Sequence, residues 1–223
     1  MTERMAHALP ASLPVFPLAS VLLLPGGQVP LHIFEPRYRA LVEHALAGDR
    51  MIGMVHADPG LGGPGDAQPA ALLPLGCAGV IESCERLPDG RFALVLEGLS
   101  RFRIAEELPL HTGGFRQVRP DWSAYGDDLR TTEESDFRMD RDALVDVAEK
   151  VLLPGTRLNR TAIKNLDNAD LLRALAMHTP LSVWDMQALL DADAGTPRAD
   201  ALLAALECAL AIQRSAHAST QRH

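Results

Sequence analysis

Apolar residues in the first half of the chain come in short runs closed by proline or glycine. They are Val15–Leu18 (VFPL), Val21–Gly27 (VLLLPGG), Val29–Phe34 (VPLHIF) and Met51–His56 (MIGMVH). Short apolar runs between turn formers read as strands. Pro88-Asp89-Gly90 stands between CAGVIESCERL and RFALVLEGL, and Asp-Gly between two such runs predicts a hairpin. In its second arm Phe92, Leu94 and Leu96 alternate with Ala93, Val95 and Glu97, and Phe102 and Ile104 continue the period of two after Gly98. One face of this sheet is therefore expected in a core. A helix interrupts the strands: Pro36 suits a first helical position, Tyr38, Leu41, Val42, Ala45 and Leu46 form an apolar stripe, and Gly48 suits the C-terminal cap. Asp58–Ala70, rich in glycine and proline, is expected to be a mobile loop.

From about Arg138 the period changes to 3.6. Leu144, Val147, Ala148 and Val151 share a helical face, and Pro154-Gly155 predicts the stop. Asn168 is the expected cap of a helix carrying Leu171, Leu172, Leu175 and Ala176, ending near Thr179-Pro180. Ser182 and Asp185 fit a capping-box variant before Met186, Leu189 and Leu190. Thr196-Pro197 suggests an N-cap ahead of a helix with Leu203, Leu206 and Leu210 on one face. Strands first and helices afterwards predict an α+β protein. The expected organisation is a β-rich part with one helix over residues 1–120, an acidic joint over 121–137 and a helical part over 138–223.

Composition narrows the function classes. A 223-residue chain with 47% hydrophobic and 22% charged residues can bury a core and is not disordered as a whole. The net charge of −8 is concentrated between Asp121 and Lys150, which hold ten acidic and four basic residues. No segment is net basic, so the phosphate neutralisation that drives nucleic-acid binding is not expected. Pro10, Pro14 and Pro17 interrupt the apolar stretch a signal peptide needs, and no run approaches the roughly 18 apolar residues of a membrane span. A cytoplasmic protein that neither crosses nor binds a membrane is expected. Cys77, Cys84 and Cys208 read as reduced thiols, and no cysteine or histidine spacing predicts a metal site. No cofactor is expected.

Two segments carry a family resemblance. Leu13–Val55, with its FPL, LPGG, PLHIFEPRYR and DRMIGMV elements, resembles the opening of the substrate-binding amino-terminal domain of Lon proteases, in particular the bacterial members that consist of that domain alone. Gly76–Ile104 (GCAGVIESCERLPDGRFALVLEGLSRFRI) is similar to that family's second signature, and the segment from Asp167 to about Leu206 matches its helical portion more loosely. The resemblance implies a β-rich, PUA-like pseudo-barrel followed by a helical bundle. It also implies a role in holding unfolded or exposed protein segments, in concert with a partner ATPase or protease. The chain has only two lysines, Lys150 and Lys164, preceded by Glu149 and Ile163. A phosphate-binding Gly-Lys-Ser/Thr loop is therefore absent from it, and so is a counterpart of the catalytic serine motif with its lysine.

The candidate binding residues are Leu22, Leu24, His32, Phe34, Glu35, Arg37, Tyr38 and Trp122. His32, Glu35, Arg37, Tyr38 and Arg39 form the densest polar cluster, and a histidine beside a glutamate is capable of acid–base chemistry. The competing reading has Glu35 capping the helix and meeting an arginine; no second carboxylate or nucleophile stands beside them, which favours structure. Leu22–Leu24 with Phe34 either line a groove for extended apolar segments or place alternating members in the core. Trp122 is either an exposed interface anchor or a plug that seals the two halves together. The leading function is a non-catalytic recognition module, an adaptor or holdase. A small-ligand or RNA binder on a PUA-like fold is the second reading, and a hydrolase built on His32 and Glu35 the third.

Overall fold

The computed structural model describes residues 9–60, 70–129, 137–152 and 158–220. Most of the glycine/proline-rich loop, Pro154-Gly155 and the second half of the acidic stretch therefore lie outside the described residues. The chain divides into two compact units, Met1–Thr131 and Thr132–His223.

The first unit holds β1 (Leu13–Pro17), β2 (Gln28–Ile33), α1 (Pro36–Ala47), β3 (Met51–Ala57), β4 (Leu72–Arg86), β5 (Phe92–Glu107) and β6 (Arg116–Asp121). The sheet order is β2-β5-β4-β3-β1-β6, and β6 also pairs with β5. That last pairing closes five strands into a ring, the pseudo-barrel implied by the family resemblance. Closure is possible because β5 is long enough to serve two neighbours on one side. Phe92–Glu97 pairs with β2, and Arg103–Glu107 pairs with β6. β1 and β3 run parallel, while the other pairs are antiparallel.

The alternation in β5 appears as expected. Phe92, Leu94, Leu96 and Phe102 are buried, while Ala93 is exposed and Val95 and Glu97 are half-buried. The Pro88-Asp89-Gly90 turn joins β4 to β5 with Gly90 at φ 81°, a conformation that favours glycine. Leu13, Val15, Met51, Val55, Ala78, Phe102 and Val118 form a core cluster inside the ring. In α1, Leu41, Val42 and Ala45 are buried, with Tyr38 and Leu46 half-buried beside them.

Val21–Gly27 departs from expectation. It is not a strand, and Leu22, Leu23 and Leu24 are all buried rather than alternating. The segment lies against β5, where Gly26 N donates to Gly98 O and Gly98 N donates to Gly27 O, both at 2.8 Å. Residues 121–129 are likewise part of the first unit rather than a connecting stretch. Asp121 ends β6, and Ser123–Leu129 forms 3₁₀ turns kinked at Tyr125, which is buried. The Arg101 guanidinium holds the Asp128 carboxylate through two bonds of 2.9 and 3.0 Å, and both side chains are only 7% exposed.

The second unit contains α2 (Arg141–Val151), α3 (Arg160–Lys164), α4 (Asn168–His178), α5 (Val183–Asp191) and α6 (Thr196–Thr220). Caps define their starts: Asp140, Asn159 and Asp167 each accept a backbone N–H from three residues on. The α4 cap is thus Asp167 and not Asn168, whose amide instead donates to Phe137 O and accepts from Arg141. Ser182 and Asp185 form the expected reciprocal capping box. In α6 the buried stripe is Ala199, Leu202, Ala205 and Leu206; Leu203 and Leu210 flank it. Thr196 is the first helical residue, and its hydroxyl donates to Arg138 O instead of capping. No helix among the described residues is long and apolar enough to cross a membrane.

Candidate functional site

The alternation along β2 sets up the outer surface of the first unit. Val29 and Ile33 point inward and are buried, so Gln28, Pro30 and His32 face outward and are exposed. Register extends this face across three strands. His32 lies opposite Ala93, which lies opposite Glu85; Pro30 lies opposite Val95, which lies opposite Ser83. The middle members are small or of moderate size, and the face holds a shallow, open groove of about 540 Å³. Two strand spacings separate His32 from Glu85 by about 10 Å.

Beyond β2, Phe34 is 64% exposed. Glu35 occupies the N-cap position of α1 but makes no side-chain cap bond. Its carboxylate instead accepts from Arg37 Nε at 3.1 Å and Nη2 at 2.8 Å. The arginine half of the structural reading therefore holds and the capping half does not. The short turn into Pro36 brings the two side chains together more readily than it returns Glu35 to the helix amides. The Arg37 guanidinium also lies 4.6 Å above the Tyr38 ring, which meets Phe16 edge-on at 4.3 Å. Burial pushes the Tyr38 hydroxyl above its ordinary pKa, with Arg37 pulling the other way.

The remaining candidates fall elsewhere. Leu22 and Leu24 are 1% and 0% exposed, so their side chains offer no surface and belong to the core. Trp122 is half-buried, packs on Phe102 at 5.5 Å and donates to Pro10 O at 3.3 Å, all within the first unit. No hydrogen bond joins His32 to Glu35 among the described residues; the Glu35 carboxylate is held by Arg37. Among the described residues no three His, Cys, Asp or Glu side chains gather as metal ligands. Cys84 is half-buried; burial raises its thiol pKa, opposed by Arg50.

Two further histidines pack tightly. His56 is buried, its Nε2 3.2 Å from Val21 O, and burial lowers its pKa against that carbonyl's opposing effect. His44 lies 4.8 Å from His111, and its pKa is lowered by burial and by that neighbour. His111 Nδ1 accepts from Gly113 N at 3.0 Å. Of the groove lining only His32 is a sequence candidate; the outward-facing residues that sequence reasoning missed include Pro30, Ser83, Glu85, Ala93 and Val95. Their signal was present in the outward phase of β2, β4 and β5, but a polar or small residue on an outer face ordinarily marks only solvent.

The family model for the ATP-dependent protease La (LON) substrate-binding domain matches residues 12–207. The chain belongs to the LON substrate-binding domain family. A Lon protease of Flavobacterium johnsoniae is 27% identical over 194 residues, covering 82% of this chain and 22% of the protease. The Lon protease of Trichlorobacter lovleyi is 34% identical over 145 residues, 63% of this chain and 17% of its own length. This LON chain thus spans about a fifth of the length of the curated relatives it matches, and the match falls on their substrate-binding domain, not on the ATPase or peptidase. The crystal structure of a Lon N-terminal domain protein from Xanthomonas campestris superposes with a TM-score of 0.59 at 27% identity, covering 86% of this chain and 97% of that one. The N-terminal domain of the Mycobacterium avium complex Lon protease shares the fold at 20% identity and a TM-score of 0.52, covering 88% and 98%.

Proposed function

We propose that this LON domain is a non-catalytic recognition module that binds exposed or unfolded segments of other proteins. The docking surface in this reading is the outer face of β2, β5 and β4, with His32 on its border and Phe34 beyond its end. The observation that carries it is the groove itself, lined by Pro30, Ala93 and Val95 among others, with Phe34, the residue after β2 and its neighbour Ile33, left 64% exposed. A trough lined this way suits short apolar side chains of an extended segment. Glu35 and Arg37 neutralise each other at the adjoining junction and act there as a positioning pair rather than as contacts. The module acts as an adaptor or holdase, delivering its clients to a separate ATPase or protease.

The family supports recognition as the role, and the chemistry of the face supports where it happens. Nothing in the groove favours phosphate: its lining contains no lysine or arginine. The test is binding of a fluorescently labelled, reduced and permanently unfolded protein, followed by anisotropy. Phe34→Ala and Val95→Asp should each weaken binding while leaving the circular dichroism spectrum intact. Unchanged affinity in both variants would remove the groove from the mechanism. No binding above that of a globular protein of equal charge would remove the recognition role itself.

A further inference from the structure

The groove carries a chemical preference that the recognition reading alone does not specify. Of the side chains lining it, Glu85 is the acidic one and His32 the one imidazole; no lysine or arginine contributes. Glu85 is exposed and has no hydrogen-bonding or ionic partner among the described residues. Toward the other end of the same face stand two more carboxylates. Glu97 lies opposite Gln28 in the register, and Glu82 accepts from Gln28 Nε2 at 2.8 Å. Of the nearby cations, Arg86 pairs with Glu43 at 3.5 Å and Arg91 with Asp89 at 2.6 Å, while Arg50, which acts on Cys84 of the lining, donates to Ile81 O at 3.0 Å and is not itself part of the lining. An apolar floor thus runs between acidic ends. Ala93 and Glu97 are four residues apart on β5, about 13 Å along an extended strand.

The backbone limits how a client lies. β2 ends the sheet order and pairs only with β5 among the described strands. The bond from Gly98 N to Gly27 O sets the pairing phase, so residues 29, 31 and 33 bond to β5 and residues 28, 30 and 32 turn their main chain to the free edge. Pro30 stands in the middle of that edge without an N–H. A strand added there would find no donor for its central carbonyl. The face is therefore the better seat than the edge.

We infer that the segments this groove selects are extended, apolar and cationic, laid across the outer face with a lysine or arginine at Glu85 and a second one toward Glu82 and Glu97. The inference rests on the proposed recognition role and adds the client's charge and pose. Small or flat side chains between the two cations cover Pro30, Ala93 and Val95, and the cations stand about four residues apart. An acidic segment of equal apolarity is rejected, because it would bring a carboxylate against Glu85 with no cation in the groove to compensate.

Fluorescein-labelled dodecapeptides with one apolar core and flanking Lys, Gln or Glu pairs test this on the whole chain by anisotropy. At low salt the Lys peptide should bind about tenfold tighter than the Glu peptide, the Gln peptide falling between. The ratio should shrink toward unity at high salt, as exposed charge contacts are screened. Glu85→Gln should weaken the Lys peptide about threefold to fivefold and leave the Gln peptide unchanged, which a general loss of folding would not do. N-methylation of alternate peptide amides should leave affinity intact; loss of binding would mean strand addition at β2 and overturn the pose. Equal affinities for the three peptides would overturn the charge preference while recognition stands. Absence of binding by all three, together with failure to bind unfolded protein, would defeat both.

Discussion

Gly98→Ala is the perturbation that interrogates the fold most directly. A methyl carbon at this position would sit well inside contact distance of the Leu24 carbonyl oxygen, 2.9 Å from the Leu24 carbonyl carbon and 3.3 Å from Leu23 Cδ1. The first two obstacles are backbone, so no rotamer change removes them. Relief requires the Leu22–Gly27 segment to lift off β5, which strains the two hydrogen bonds between Gly98 and the Gly26-Gly27 turn. Overpacking costs about 1–3 kcal/mol, and each compromised backbone bond adds about 1 kcal/mol. Lifting also begins to wet Leu22, Leu23 and Leu24, now at most 2% exposed. A loss of roughly 3–5 kcal/mol is expected from these contributions together. Urea unfolding in a Trp184→Phe background reads it cleanly, since Trp122 then reports on the first unit alone. Gly126→Ala is the control: nothing lies within 4 Å of the added methyl, so its midpoint should stay put or rise slightly. A Gly98→Ala midpoint corresponding to less than about 1 kcal/mol would mean that the Leu22–Leu24 segment does not pack as described.

Three further expectations concern other parts of the molecule. His44 and His56 both have lowered pKa values in the fold, so the native state binds fewer protons than the unfolded chain. Their contribution is complete above the unfolded value of about 6.5 and is lost as pH falls below it; the melting temperature of the first unit should drop from pH 7.5 to 5.5, and a flat profile would contradict this. Asp128→Ala should cost about 3–5 kcal/mol by stranding the Arg101 guanidinium, whereas an Arg101→Met, Asp128→Leu double variant should cost less than the single one in denaturant titrations. Ser182→Ala should destabilise α5 by about 1 kcal/mol, visible as faster amide exchange in its first turn; unchanged exchange would show the capping box to be dispensable.

The parts legible in the sequence are those governed by local rules. The Asp-Gly turn, the alternation of Phe92, Leu94 and Leu96, the proline-led start of α1 and the Ser182–Asp185 box depend on neighbours within a few residues. The misread parts depend on distant partners. Leu22–Leu24 shows no period because it is covered by β5 on one side and core on the others, so all three side chains find burial. Asp128 reads as one more charge in the acidic joint, and only Arg101, 27 residues away, makes it interior. α3 is five residues long, too short to display a period. At the proposed surface the HIFEPRYR cluster falls on the junction of β2 and α1, and the Glu35–Arg37 pair follows from adjacency. The groove floor does not, because it is assembled by register across three strands and no single strand reveals it.

Ring closure has a consequence for how the chain is made. Synthesis delivers β1 to β5 before β6, and until Val118 and its neighbours leave the ribosome both β1 and the far half of β5 stand with unpaired amides. For that interval the nascent chain has two sticky margins besides the outer edge of β2, and the hydrophobic interior between them is open to water. A stop codon between residues 108 and 115 should therefore yield a fragment that chaperones retain, while release after Thr131, where the first unit ends and Asp128 can meet Arg101, should yield one that does not need them.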